Sequence, residues 1–125
     1  MYIVDVDIST NLMTISFSKQ ITNTQLMECL NETNKKRKAF PSSYQVLINL
    51  SKNLKFIEES AGKIDLEIFS GKIIKLSKAV IFCPDECAST KTVADKVQAL
   101  YKGCGVSACI VNSDIEAKKA LKLLW

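Results

Sequence analysis

The sequence predicts a single α/β domain over residues 1–125, built on a mixed, mostly parallel four- to five-stranded sheet with an N-terminal β-hairpin and about four helices. Three observations predict this fold. Hydropathy patterns give the element order β-β-α-β-α-β-α-β-α, the length of 125 residues suits one domain, and 47% of the residues are hydrophobic. Strands that alternate with helices indicate right-handed crossovers between parallel neighbours.

The first two strands are predicted to form the hairpin. Tyr2 to Ile8 alternates apolar and polar residues, and Leu12 to Phe17 is a second run of β-formers. Ser9-Thr10-Asn11 supplies turn residues between them. Asp5 and Asp7 could serve acid/base chemistry, but the alternation places them on the solvent side of an edge hairpin.

The first helix has recognisable start and stop signals. Thr22 and Gln25 have the spacing of a capping box, and Pro41 prevents the helix from continuing. Its end is expected near Lys38, in the basic cluster Lys35 to Lys38, where positive charge suits the negative end of the helix dipole. The same cluster could dock an acidic partner or a membrane surface.

The central part of the chain predicts two buried strands and a helix between them. Tyr44 to Leu50 and Ala79 to Cys83 are short apolar runs, typical of strands covered on both faces. The intervening helix is expected to begin near Glu58 and Glu59, whose charges suit a helix start, and to end or bend at Gly71.

The last third predicts helix, strand and helix. Ser89 or Thr90 is expected to cap the first of these helices, with Gly103 as its left-handed C-terminal residue. Ala108 to Val111 is the last strand, and Ser113 to Glu116 is a second capping box.

Composition excludes several function classes. Histidine is absent, which removes the commonest general base and the commonest neutral metal ligand. The formal net charge of +4 is too small to indicate nucleic-acid binding. No signal peptide and no membrane-spanning run is recognisable, and the five cysteines form no Cys-x-x-Cys pair. We therefore expect a cytoplasmic protein with reduced thiols and without cofactor, metal or integral membrane segment.

One stretch carries a resemblance to a known family. Val46 to Leu50 is a hydrophobic strand ending in Asn49-Leu50, followed by a loop, Phe56, and Glu59-Ser60-Ala61-Gly62. This arrangement resembles the signature of STAS domains of bacterial anti-sigma factor antagonists. The resemblance implies a non-catalytic regulatory module that binds a protein partner, either a kinase or an anti-sigma-like protein. By the same resemblance, Ser60 is the serine that the kinase phosphorylates.

Two alignments of this stretch remain open. Matching Phe56 to the family phenylalanine requires one extra residue before Ser60, and without that insertion Glu59 takes the phosphorylated position as a fixed negative charge. A phosphate at a helix start would be favoured by free backbone N–H groups and by nearby lysines. The expected interaction surface comprises Asn49, Lys52, Lys55, Glu58, Glu59 and Lys63.

Two other functions stay open on the sequence. The ending from Gly103 to Trp125 is also similar to the SpoIIAA-like family of unknown function, which is related to lipid-binding domains. That similarity, with the apolar segment from Ile64 to Leu76, suggests a small-molecule or lipid pocket, or a homodimer face. The third option is a thiol enzyme acting through Cys83, Cys87 or Cys104.

Overall fold

The computed structural model describes residues 2–52, 54–57, 76–83 and 88–121 of the chain. Within these residues the chain forms seven strands, three α-helices and one 3-10 turn. In chain order the elements are β1 (Tyr2–Asp7), β2 (Leu12–Phe17), β3 (Gln20–Thr22), α1 (Asn23–Lys36), the 3-10 turn (Arg37–Ala39), β4 (Tyr44–Leu50), β5 (Lys55–Ile57), β6 (Leu76–Phe82), α2 (Ala88–Gly103), β7 (Ser107–Val111) and α3 (Asp114–Leu121).

The main sheet has five strands in the order β1-β2-β4-β6-β7. β1 and β2 form an antiparallel hairpin, and β2, β4, β6 and β7 run parallel. The predicted α/β fold class is therefore confirmed. Three of about four predicted helices are present, and the helix expected from Glu58 to Gly71 lies outside the described residues.

Helices cover both faces of the main sheet. α1 and α2 pack on the face that carries Val46 and Ile48, which we call the helix face. α3 packs on the opposite face, which carries Leu47 and Val80 and which we call the α3 face. Lys78 holds the end of α3 to the sheet, because its Nζ donates to the Ala120 carbonyl at 2.7 Å. None of the described helices is long and apolar enough to cross a membrane.

The hairpin follows the predicted alternation. Val4 is buried, whereas Asp5 and Asp7 are exposed, as expected for the solvent side of an edge hairpin. The turn is held by Asp7, whose Oδ1 accepts hydrogen bonds from the backbone N–H and the hydroxyl of Ser9. These hydrogen bonds lower the pKa of the Asp7 carboxyl, since they favour its charged form.

The capping box of α1 is present as predicted. The Thr22 hydroxyl accepts from the Gln25 backbone N–H at 3.1 Å, and the Gln25 side chain accepts from the Thr22 backbone N–H at 3.1 Å. The helix ends at Lys36, and the 3-10 turn then leads to Pro41. The predicted end near Lys38 was therefore correct to within one helical turn.

The end of α2 differs from the prediction. Gly103 is the last residue of the helix, but the left-handed backbone conformation falls at Gly105, with φ of 81°. Val106 N–H donates to the Tyr101 carbonyl at 3.0 Å, which closes the turn two residues later than expected. The assignment of the left-handed position to Gly103 was wrong, because the Gly-Cys-Gly run offers two glycines and local sequence does not choose between them.

Removing the capping box should destabilise α1 by an amount typical of helix caps. We expect Thr22→Ala to lower the free energy of unfolding by about 1 kcal/mol. Gln25→Ala should cost less, and the double variant should lose less than the sum of the two, since both side chains serve one motif. Urea unfolding of the four proteins measures this coupling, and strictly additive losses would show that the reciprocal bonds do not act together.

Candidate functional site

The carboxyl ends of the parallel strands meet on one side of the main sheet, which we call the carboxyl edge. Two backbone hydrogen bonds extend the pairing past the strand ends: Ser51 N–H donates to the Phe17 carbonyl at 3.1 Å, and Cys83 N–H donates to the Val111 carbonyl at 2.8 Å. In open α/β sheets this edge is the usual place for binding groups. The stretch that resembles the STAS signature starts within β4 and reaches this edge at Leu50.

A second, two-stranded sheet holds the loop that follows β4. β5 pairs in parallel with β3, and Lys55 N–H donates to the Lys19 carbonyl at 3.2 Å. Leu54 is fully buried, and its N–H donates to the Thr90 hydroxyl of α2 at 3.1 Å. The sequence did not predict β3 or β5. Their three residues each are too few to give a periodic signal, and they are strands only because they pair.

Lysines cluster around this small sheet. Lys19, Lys52 and Lys55 are all exposed, and the three occupy adjoining turns and strand ends. Lys96 of α2 places its Nζ 4.8 Å from the centre of the Phe56 ring, so a fourth positive charge lies beside β5. We call these four residues the lysine surface. Sequence reasoning had selected Lys52 and Lys55, and it missed Lys19 and Lys96.

Lys19 adopts a backbone conformation that is uncommon for its type. Its φ is 64°, in the left-handed region that glycine and asparagine favour. The turn at Lys19 carries the chain from β2 into β3. At this turn the Lys19 carbonyl accepts a hydrogen bond from the Lys55 backbone N–H. A non-glycine residue in this region is a mild strain that surrounding structure must hold in place. No local sequence signal would have identified it.

Asn49 does not join the lysine surface. It is half-buried on the α3 face, where it lies between Ser16 of β2 and Phe82 of β6. The residues around β5 instead contribute to the core of the helix face, through Leu54 and Phe56. The predicted interaction surface is therefore divided, with Asn49 on one side of the sheet and Lys52 and Lys55 at the carboxyl edge.

The other predicted site residues, Glu58, Glu59, Ser60 and Lys63, lie outside the described residues.

A buried hydroxyl lies at the same edge. Ser51 Oγ is inaccessible to solvent and has no hydrogen-bond partner within the described residues. An unsatisfied buried hydroxyl costs on the order of 1–3 kcal/mol. The start of the loop between β4 and β5 thus holds a polar group with an unused capacity for hydrogen bonding.

The described cysteines show no exposed thiol. Cys83 is 6% exposed at the end of β6, and Cys104 is half-buried against the core of the helix face, while Cys87 lies outside the described residues. Cys29, on the buried side of α1, is 2% exposed, and burial raises the pKa of its thiol to about 12. Among the described residues there is also no group of three or more cysteine or acidic side chains that could hold a metal ion.

An apolar cavity lies between the helix face and the two helices that cover it. It is lined by Ile15, Cys29, Ile48, Val97 and Tyr101, among others. Its volume of about 20 Å³ is close to that of a single water molecule by the same measure. It offers no room for a lipid, and most of Ile64 to Leu76, the segment suggested for a pocket or dimer face, lies outside the described residues.

Comparisons with known proteins do not identify a family for this chain. The chain matches no protein-family model, no curated protein and no solved structure.

The bond between Thr90 and Leu54 can be tested by one substitution. We expect Thr90→Val to lower the free energy of unfolding by about 1–3 kcal/mol, because it leaves the buried Leu54 N–H without a partner. Thr14→Val is the matched control, since Thr14 is half-buried and its hydroxyl has no hydrogen bond within the described residues. Equal stability of the two variants in urea unfolding would refute the structural role of Thr90.

The buried Cys29 thiol predicts a pH dependence. Its pKa is raised from 9.0 to about 12 in the folded chain, so above pH 9 the unfolded state loses a proton that the folded state keeps. Stability is therefore fully present below pH 9 and falls as pH rises towards 12.

Cys29→Ala isolates this effect. Between about pH 9 and about pH 10, the stability of the wild type should fall more steeply than that of the variant, by up to about 1.4 kcal/mol per pH unit. Urea unfolding across this range measures the difference in slope. Parallel slopes would mean that the thiol ionises alike in both states.

Proposed function

We propose that this chain is a STAS-like, non-catalytic protein-interaction module of the cytoplasm, switched by phosphorylation at Ser60. Its partner is a kinase or an anti-sigma-like protein. The observation that carries the proposal is the placement of Lys52 and Lys55, which are exposed at the carboxyl edge on the segment that leads directly to Glu59-Ser60-Ala61-Gly62.

The fold supports this reading. STAS domains, which the sequence resembles, place their phosphorylated serine after a central strand, and here the corresponding strand is β4. β4 delivers the chain to the carboxyl edge, and pairing with β3 then holds β5, which precedes Ser60 in the sequence. The segment before the serine is thereby anchored at two points, Leu54 and Lys55, which suits a residue whose modification must be sensed at a surface.

The electrostatics support a switch. A phosphoserine carries about −1.5 to −2 charges at pH 7. Lys52 and Lys55 are exposed at this edge and Lys96 lies over Phe56, so a phosphate on Ser60 would offset positive charge already present there. Phosphorylation would offset up to about half of the positive charge of the four-lysine surface, which is a large change for any partner that docks on it.

Two of the four described thiols are too buried to act as the nucleophile of a thiol enzyme. A reactive cysteine needs an accessible thiolate, usually stabilised by a positive neighbour or a helix start. Cys29 and Cys83 are buried, and the raised pKa of Cys29 keeps that thiol protonated at neutral pH. Neither meets the requirement.

Substitutions at Ser60 test the switch. We expect the immobilised chain with Ser60→Asp to retain at least one protein from its host lysate about tenfold more or less than the chain with Ser60→Ala, a difference of about 1.4 kcal/mol. Quantitative mass spectrometry of the retained proteins measures this ratio. Identical recovery by the two variants would contradict phosphorylation control.

A charge-reversal pair tests the surface. The double variant Lys52→Glu/Lys55→Glu should lose the partner in both Ser60 backgrounds. Lys102→Glu/Lys119→Glu is the matched control, because both residues are exposed and lie on α2 and α3 away from the lysine surface. Equal loss with both pairs would mean that net charge alone, and not this surface, governs binding.

A further inference from the structure

The outer edge of the main sheet is formed by β1. Within the described residues, β1 pairs with β2 alone, so the backbone groups that it does not share with β2 point away from the sheet. A strand with such unpaired groups is a template on which another strand can add. Native proteins therefore block these edges, and lysine is a common means of doing so.

The identity of the outward-facing groups follows from one contact. The Val4 carbonyl accepts a hydrogen bond of 2.6 Å from Lys36 Nζ, at the end of α1. In an antiparallel ladder the N–H and C=O of a residue point to the same side, and this side alternates along the strand. Tyr2, Val4 and Val6 therefore present their backbone groups at the open edge.

Lys36 is held in this position by its surroundings. Its Nζ lies 3.5 Å from a carboxylate oxygen of Glu32, one helical turn earlier. Both side chains are about two-fifths exposed, at 39% and 40%. Both residues line a cleft of about 370 Å³ between the start of β1 and α1, together with Tyr2, Glu28, Asn31 and Lys35.

We propose that Lys36 caps the edge of β1 and thereby prevents a second copy of this chain from adding to the sheet. The strand that it excludes is β1 of that copy, in antiparallel register about a two-fold axis at Val4. The outward-facing residues are symmetric about Val4, so Tyr2 would pair with Val6 of the other copy and Val4 with itself. The edge is thus complementary to itself.

The position of the cap explains its effect. In this register the two central hydrogen bonds join the Val4 N–H of each copy to the Val4 carbonyl of the other. In each copy Lys36 already donates to the Val4 carbonyl. The same side chain therefore blocks both of the central hydrogen bonds, one in each copy. On the α3 face the register would set Ile3, which is 56% exposed, opposite Asp5, so side-chain contacts there would be weak without the backbone bonds.

The test is the oligomeric state of Lys36→Met. Methionine keeps an unbranched side chain and helix propensity but cannot donate to the Val4 carbonyl. Lys35→Met is the matched control, since Lys35 is the neighbouring basic residue of α1 and lines the same cleft. By sedimentation at increasing concentration, we expect Lys36→Met to double its apparent mass while wild type and Lys35→Met remain monomers. A monomeric, folded Lys36→Met or a dimeric wild type would overturn the proposal.

A second substitution tests the register. Val6 directs its N–H to the open edge, so proline there removes a donor that β2 does not use. We expect Lys36→Met/Val6→Pro to return to a monomer with wild-type circular dichroism. A dimer that persists in this variant would mean association through another surface.

Folding of the variants must be separated from association. Lys36→Leu also removes the donor to the Val4 carbonyl, keeps helix propensity, and should dimerise like Lys36→Met. If neither variant gives the wild-type circular dichroism spectrum, the bond to Val4 supports the fold itself, and the edge-cap proposal is overturned.

Discussion

The parallel pairing of β4 on both of its sides is the constraint on which the rest of this structure depends. Ile48 lies in register with Ile15 of β2 and with Ile81 of β6, and all three are almost fully buried. Parallel neighbours cannot be joined by a tight turn, so the chain must return across a face of the sheet each time. α1 and α2 make such returns on the helix face, and the carboxyl ends therefore collect at one edge. The lysine surface is a consequence of that arrangement.

The features that were predicted correctly from the sequence depend on interactions between residues that are close together in the chain. The hairpin alternation and the Thr22–Gln25 capping box depend on residues within a few positions of one another, and both were predicted correctly. Ser113 likewise accepts from the Glu116 N–H at 3.2 Å, although the Glu116 carboxylate reaches the N–H of Asn112 and not that of Ser113. Such patterns are visible because the chain itself brings the groups together.

The features that escaped prediction are contacts between distant residues. Thr90 was expected to act as a helix cap, but α2 begins at Ala88, and the Thr90 hydroxyl receives the N–H of Leu54, 36 positions earlier. β3 and β5 exist only as a pair. Lys96 reaches the lysine surface because α2 packs beside β5, which no spacing in the sequence shows.

Positive charge is grouped differently in the folded chain than along the sequence. Lys35 to Lys38 forms the densest basic run of the sequence, yet Lys36 binds the Val4 carbonyl and Arg37 Nε donates to the Asn34 side chain at 2.9 Å. Half of that run therefore serves the structure of α1 and the edge of β1. The lysines around β5 are scattered in sequence, and the fold assembles them into one surface. Charge clustered along a chain is thus a poor guide to charge presented to a partner.

The intact mass of the chain purified from its own cells tests the central claim most directly, measured under native conditions and again after denaturation. Our account predicts a fraction heavier by one phosphoryl group in both measurements, with the modification mapped to Ser60 by fragmentation. A chain that carries no phosphate at Ser60, under conditions in which its partner is present and active, would contradict the account. A mass increase that disappears on denaturation would identify a bound small molecule and would favour the SpoIIAA-like alternative.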